Sequence, residues 1–291
     1  MHKRCVQAYS TCEMEISARL LEIAINDLES VKVLYKKKHY SLALFQLQQA
    51  VEKLVKSFGI KADVIKPEEI AKKINHLPHR VFTKLYLSQI QELTERTNTP
   101  ILVPDLIPPH QRGKSNTKEK LENLKKLHAK VESSANQKSK AVPLEDIETF
   151  ISEAKTISKS LTFDTRKLHS EIKDDFIKTN LHFIDFLKGD ENMKKISEYM
   201  IANSNEIAKS KVAQYKLNRK LEAKFQYISY VWINLSLLTS EHEQTTRYPS
   251  IANDESPNDI YDEKNLIIKH IPEFLKMLTK SIKYYREIYN Q

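Results

Sequence analysis

SLALFQLQQAVEKLVKSFGI, residues Ser41–Ile60, decides the fold class. Leu44, Leu47, Val51, Leu54, Val55 and Phe58 recur on a 3.6-residue period, so the stretch reads as a helix with one apolar face to bury. Gln46, Gln49, Lys53 and Lys56 lie on a different side, and Gly59 stands where a left-handed cap would end the helix. Residues 13–37 repeat the period with Ile16, Leu20, Ile23, Leu28, Val31 and Leu34. Joined by Lys38-His39-Tyr40, the two segments predict an antiparallel helical hairpin.

The rest of the chain extends this reading. It has 291 residues but only 3 glycines, at 59, 113 and 189, and no Gly-x-Gly-x-x-Gly or Gly-x4-Gly-Lys-[Ser/Thr] pattern, which argues against a nucleotide-binding α/β enzyme. Runs rich in Lys, Glu, Leu and Ile with helical spacing almost throughout predict an all-α protein. Cys5 and Cys12 have no histidine at metal-ligand spacing and read as reduced thiols, so neither a metal nor a cofactor is expected. The N-terminus lacks an apolar targeting core and no stretch of eighteen apolar residues occurs, which predicts a soluble, cytoplasmic protein without a membrane span.

Further along, Pro67 is expected to open a short helix that stops at Asn75-His76-Leu77-Pro78, and a second helix follows over residues 79–96. Residues 99–115 carry four prolines and a glycine, a candidate boundary. A charged helix over 117–131, with Leu121, Leu124, Leu127 and Val131 as its thin stripe, leads into a polar linker over 132–142. Helices are expected from Pro143 to Leu161, over 164–188, 192–208 and 212–240, and over 263–289, the last interrupted at Pro272. No fixed-period repeat stands out.

These residues resemble the HEPN family of small helical modules. Ala43, Phe45, Gln48, Gln49, Ala50, Glu52, Lys53 and Lys56 follow the pattern of that family's second helix. Asn75-His76-Leu77-Pro78 is similar to its Gly-His-x-Pro-like element, and Arg247-Tyr248-Pro249 to the Arg-Tyr-Pro that ends a later helix. The resemblance covers residues 16–96 and 212–289. It implies a HEPN-like antiparallel helical bundle with a long helical insertion: residues 13–98 and 209–291 form the two halves of the bundle, and 99–208 the insertion.

Many HEPN proteins are metal-independent ribonucleases that use Arg-x4-6-His across a dimer interface. No arginine here is followed by histidine at that spacing; the nearest pair is Arg166 and His169. The resemblance therefore favours a non-catalytic module, homodimeric, that binds nucleotide, RNA or a partner such as a nucleotidyltransferase of a toxin–antitoxin or defence pair. The alternative is a ribonuclease toxin with an altered site around His242, Arg247 and His76. His242 and Arg247 would stand about 140° apart on an ideal helix and converge only if it unwinds before Pro249. Otherwise Glu243 and Arg247 pair across one turn, His242 is solvated, and His76 caps a helix or sits in the core. For phosphate or base contact the candidates are Arg247 and Tyr248, with Gln49 and Lys53 facing a ligand, a dimer seam or solvent.

The net charge is +9, and residues 112–140 hold nine Lys/Arg against three Glu. Arg112, Lys114, Lys118, Lys120, Lys125, Lys126 and Lys130 form a candidate basic patch for phosphate backbones, or equally a solvated lysine-rich face. Residues 254–263 carry five acids and no base, which reads as an acidic loop.

Overall fold

The computed structural model describes residues 2–98, 117–136, 144–159, 166–186, 190–240, 242, 245–248 and 256–289, with side-chain detail from Met14 on. Every regular element among them is helical. In chain order these are α1 (His2–Lys36), α2 (Tyr40–Lys61), a π-helical turn (Ile70–Ile74), α3 (His79–Asn98), α4 (Thr117–Asn136), α5 (Leu144–Lys159), α6 (Arg166–Phe186), α7 (Glu191–Ala202), α8 (Ser204–Ser240), α9 (Pro257–Ile260) and α10 (Leu266–Tyr289).

The apolar stripe of α2 is the centre of the molecule. Leu44, Leu47, Val51, Leu54, Val55 and Phe58 are all fully buried, packed among α1, α8, α10 and α3. Phe58 ties the two ends of the chain together. Its ring stacks on Phe82 of α3 at 5.5 Å and meets Phe225 and Trp232 of α8 at 5.9 and 6.1 Å and Tyr289 of α10 at 6.3 Å. Trp232 is itself fully buried and donates from Nε1 to Ser281 Oγ at 2.7 Å, which satisfies the one polar atom of its indole.

Val131 of α4 and Ile147, Phe150, Ile151 and Ala154 of α5 enter the same core. Phe176, Ala208 and Val212 are buried apart from it, where α6, α7 and the first turns of α8 pack together. The side chains of Asp190 and Asn203 serve that assembly locally: Asp190 accepts from the backbone N–H groups of Asn192 and Met193 and caps α7, as a short acidic side chain does at a helix start.

Several details differ from the sequence expectation, each for a physical reason. Ile23 is 45% exposed, while Ser17 and Asp27 turn inward; Ser17 Oγ donates to the Ser57 carbonyl at 2.9 Å and Ser57 Oγ to the Ser17 carbonyl at 2.8 Å, so a reciprocal polar contact takes the place of an apolar one. Gly59 does not cap α2, which continues to Lys61. A Cβ there would stand 2.8 Å from Val81 Cγ1 and 2.9 Å from Ile65 Cγ1, so glycine is required by close packing of the following chain. The left-handed turn falls at Asp63, φ 54°.

Asn75 adopts φ 46° and ψ −125°, a conformation that favours glycine, which explains why a Gly-like position precedes His76. The expected short helix after Pro67 is a single π-helical turn. The expected break at Pro272 does not occur; α10 runs through it. α8 begins at Ser204 rather than near Val212, because α7 ends at Ala202 with Asn203 as its cap. The acidic stretch is not a plain loop: Ser256 and Asp259 form a reciprocal cap that starts α9, and Tyr261 is buried behind it. α4 continues to Asn136 into the expected linker. Cys5 and Cys12 lie on α1 before its described side chains, and Leu161 and Leu187 lie outside the described residues.

Candidate functional site

The polar residues of α2 form two rows beside its buried stripe. Gln46, Gln49 and Lys53 recur at three and four residues, which places them on one face. That face meets α1 at Asp27, whose carboxylate receives Gln46 Nε2 at 2.6 Å and Lys53 Nζ at 2.7 Å. Asp27 and Lys53 keep 12% and 23% of their side-chain exposure, so this pair is partly desolvated and joins the two helices of the hairpin.

The second row is Gln48, Glu52 and Lys56, each one turn from the next. Lys56 Nζ reaches Glu52 Oε1 at 2.5 Å, with side-chain exposures of 9% and 8%. Gln48 Nε2 donates to Glu52 Oε2 at 3.2 Å, and His76 Nδ1 lies 3.3 Å from that same oxygen. A buried carboxylate is tolerable because it has several partners. The expectation that Lys56 lies on a polar outer side is corrected here: the lysine is 7% exposed and neutralises Glu52. Gln49 Nε2 donates to Gln48 Oε1 at 2.6 Å and links the rows.

His76 reaches this network from the turn after the π-helical segment, its ring anchored through Nδ1 and its side chain 53% exposed. Arg247 reaches the same side of α2 from the other half of the chain. Its guanidinium lies 5.2 Å from the centroid of Phe45 and 5.2 Å from that of Tyr248, so the cation is held against two rings. Arg247 is exposed and Tyr248 is 58% exposed; no carboxylate among the described residues pairs with the arginine. Phe45 and Glu52 are seven residues apart, about 10 Å along the helix axis. Arg247, Gln49 and His76 thus follow one side of α2 in succession.

His242 does not join that row. α8 stops at Ser240 and the chain passes into turns, with Thr246 N bonded to the His242 carbonyl at 3.0 Å. The unwinding that would let His242 and Arg247 converge is present, but His242 turns instead to Tyr261, Nδ1 to hydroxyl 2.7 Å, and Thr245 Oγ1 lies 2.6 Å from the same hydroxyl. It is therefore not solvated. Burial lowers its pKa from the usual 6.5 to about 4, so the ring is neutral at pH 7 and a poor proton donor there. The alternative in which Glu243 pairs with Arg247 on a helix has no helix to stand on, and Glu243 lies outside the described residues.

His79 at the start of α3 behaves like His242: burial first, then the nearby charge of Arg80, lowers its pKa to about 4. Both folded values lie below the unfolded one, so the unfolded chain takes up protons first. Their stabilising contribution is complete above about pH 6.5 and is lost as pH falls toward 4. The melting temperature should decline between pH 6.5 and 4.5, and the double variant His79→Gln, His242→Asn should decline less over that interval when followed by circular dichroism. A parallel decline in both proteins would show that these imidazoles do not drive it.

Lys118, Lys120, Lys125, Lys126 and Lys130 are exposed on α4, with Lys125 paired to Glu122 at 3.0 Å; Arg112 and Lys114 lie outside the described residues. Among the described residues no three His, Cys, Asp or Glu side chains cluster as metal ligands, and no helix is long and apolar enough to cross a membrane.

Sequence reasoning missed Phe45 and Asp27 as parts of the site. Phe45 stood in the family pattern without a role, and Asp27 carried no signal of its own until its two α2 donors were placed around it. Searches of curated proteins and of solved structures return no significant match. The family model of the HEPN domain matches residues 17–98, the segment that supplies most of α1, all of α2 with both polar rows, His76 and α3. Residues 17–98, 82 of the chain's 291, are thus the part that matches the HEPN domain.

Proposed function

We propose that this protein is a non-catalytic HEPN module that binds nucleotide or RNA along the outer side of α2, in a toxin–antitoxin or defence setting. The HEPN domain itself points to nucleotide- or RNA-related function in general. The observation that carries the finer reading is Arg247, exposed and held against Phe45 and Tyr248. The two rings hold the cation in place while it stays exposed, and a phosphate can take two parallel hydrogen bonds from such a fork. Tyr248 offers a ring on which a base can stack.

The exposed lysines of α4 would add attraction that depends on salt and not on sequence. The 99–208 stretch serves this reading as two pieces: α4 and α5 thicken the bundle, while α6 and α7 form a separate lobe on the first half of α8. A homodimer and a nucleotidyltransferase-type partner belong to the reading through the family resemblance.

Arg247→Ala should weaken binding of a fluorescein-labelled single-stranded RNA or of ATP at least tenfold by anisotropy or calorimetry. Its thermal stability should stay within about half a kcal/mol, as for an exposed residue. Unchanged affinity would sink the proposal. The ribonuclease alternative is favoured by one feature, the half-exposed ring of His76 oriented by buried Glu52, an arrangement suited to proton transfer. RNA fragments ending in 2′,3′-cyclic phosphate in the same incubations, absent with His76→Ala, would replace the first reading with the second.

A further inference from the structure

Apart from this site, α3, α4, α5 and α8 enclose a cavity of ≈ 410 Å³, within the size range of small-molecule pockets. Tyr86, Leu124, Leu127, Phe225, Ile233 and Leu237 give it apolar walls. It is long and narrow, because its α8 wall runs from Phe225 to Leu237, about 18 Å at the helical rise. Leu127 is 46% exposed, so the cavity opens to solvent beside α4.

Two polar features distinguish this cavity from a packing defect. Ser229 is 5% exposed and lines the wall, and its Oγ has no hydrogen-bond partner among the described residues. Its neighbours on α8 show that the helix can satisfy such groups: Ser236 Oγ donates to the Trp232 carbonyl at 2.6 Å and Thr239 Oγ1 to the Leu235 carbonyl at 2.7 Å. A buried hydroxyl left without a partner carries a desolvation cost that a ligand acceptor would remove. The second feature is charge: Lys130 lines the cavity and, among the described residues, no carboxylate does. The other polar lining groups are amides, Gln89, Gln226 and Asn234, and the Tyr230 hydroxyl, which is already bonded to Glu153.

We infer that this cavity binds a small apolar carboxylate with an extended chain, of the acyl-carboxylate class. The chain lies along α8 between the leucines of α4 and Phe225, one carboxylate oxygen accepts from Ser229 Oγ, and the Lys130 ammonium pairs with the head group. The inference does not depend on the nucleotide reading: Lys130 also belongs to the α4 lysines of that reading, but Ser229 and the apolar walls that define the cavity do not.

The test uses the full chain and decanoate, below its micellar concentration, in isothermal titration calorimetry, with decanol as the uncharged counterpart. One decanoate per chain should bind saturably. Lys130→Glu, a change on an exposed position, should weaken decanoate at least tenfold and leave decanol within twofold. Ser229→Ala should weaken decanoate several-fold without lowering the melting temperature, because the hydroxyl has no partner among the described residues to lose. Absence of saturable binding, a stoichiometry well above one, or equal decanoate affinity in wild type and Lys130→Glu would overturn the inference. A lowered melting temperature in Ser229→Ala, with decanoate affinity unchanged, would show that the hydroxyl serves the fold and would overturn it equally.

Discussion

Lys56→Met should lower the unfolding free energy by about 3–5 kcal/mol, the usual result of stripping one partner from a buried ion pair. Glu52 and Lys56 are 6% and 7% exposed, so the carboxylate left behind would keep only Gln48 and His76 beside it. The double variant Glu52→Gln, Lys56→Met should regain most of that loss, since no buried charge remains to be compensated. Urea denaturation of the wild type, both single variants and the double variant completes the cycle. A cost under about 1 kcal/mol for Lys56→Met would mean that water reaches Glu52 and screens it as at a surface. The same cycle bears on function, because Glu52 holds His76: loosening it should change the ring chemical shifts of His76 while those of His242, on another network, stay put.

Phe58→Ala should cost about 3–5 kcal/mol, as for removal of an aromatic from a tight core. The reason lies in its neighbours. Phe82 comes from the N-terminal third of the chain, and Phe225, Trp232 and Tyr289 come from the C-terminal third, so one deletion opens the contact between both. The single tryptophan reports on the C-terminal side, and far-ultraviolet circular dichroism on all helices. In wild type and variant alike the two signals should change together, as they do when one core unfolds as a unit. Separate transitions would mean that residues 17–98 and the C-terminal helices are independent bodies, contrary to the shared core.

The apolar period on α2 was sufficient to place its buried face, because six large side chains at regular spacing leave only one orientation that hides them. The same rule misplaced Ile23, since it weighs residue type alone; α1 instead turns Ser17 and Asp27 inward, where Ser57, Gln46 and Lys53 supply hydrogen bonds. Lys56 was misread for a related reason. A charge one turn from an opposite charge can be buried with it, and whether that happens depends on what covers them, here the turn bearing His76. Gly59 was read for its backbone freedom, although its use is to have no side chain opposite Val81 and Ile65. Arg247 and Tyr248 could be picked from the residues before Pro249, but Phe45 could not, because its contact with Arg247 joins positions two hundred residues apart.

α8 has 37 residues and neither glycine nor proline among them, so it is a continuous rod of about 55 Å. Its last turns stand in the bundle core and its first turns carry α6 and α7, while residues 213–220 between them are exposed on every side. There the rod is supported by its own backbone bonds and by local pairs such as Gln214 with Asn218 and Arg219 with Glu222. It works as a spacer: whatever docks on the α6–α7 lobe is held at a set distance and bearing from Arg247, as a yardstick holds its two ends. Inserting two residues in this span would swing the lobe by about 200° around the rod axis and inserting seven would nearly restore its bearing, so reach and orientation are set by the number of residues in an exposed stretch of one helix.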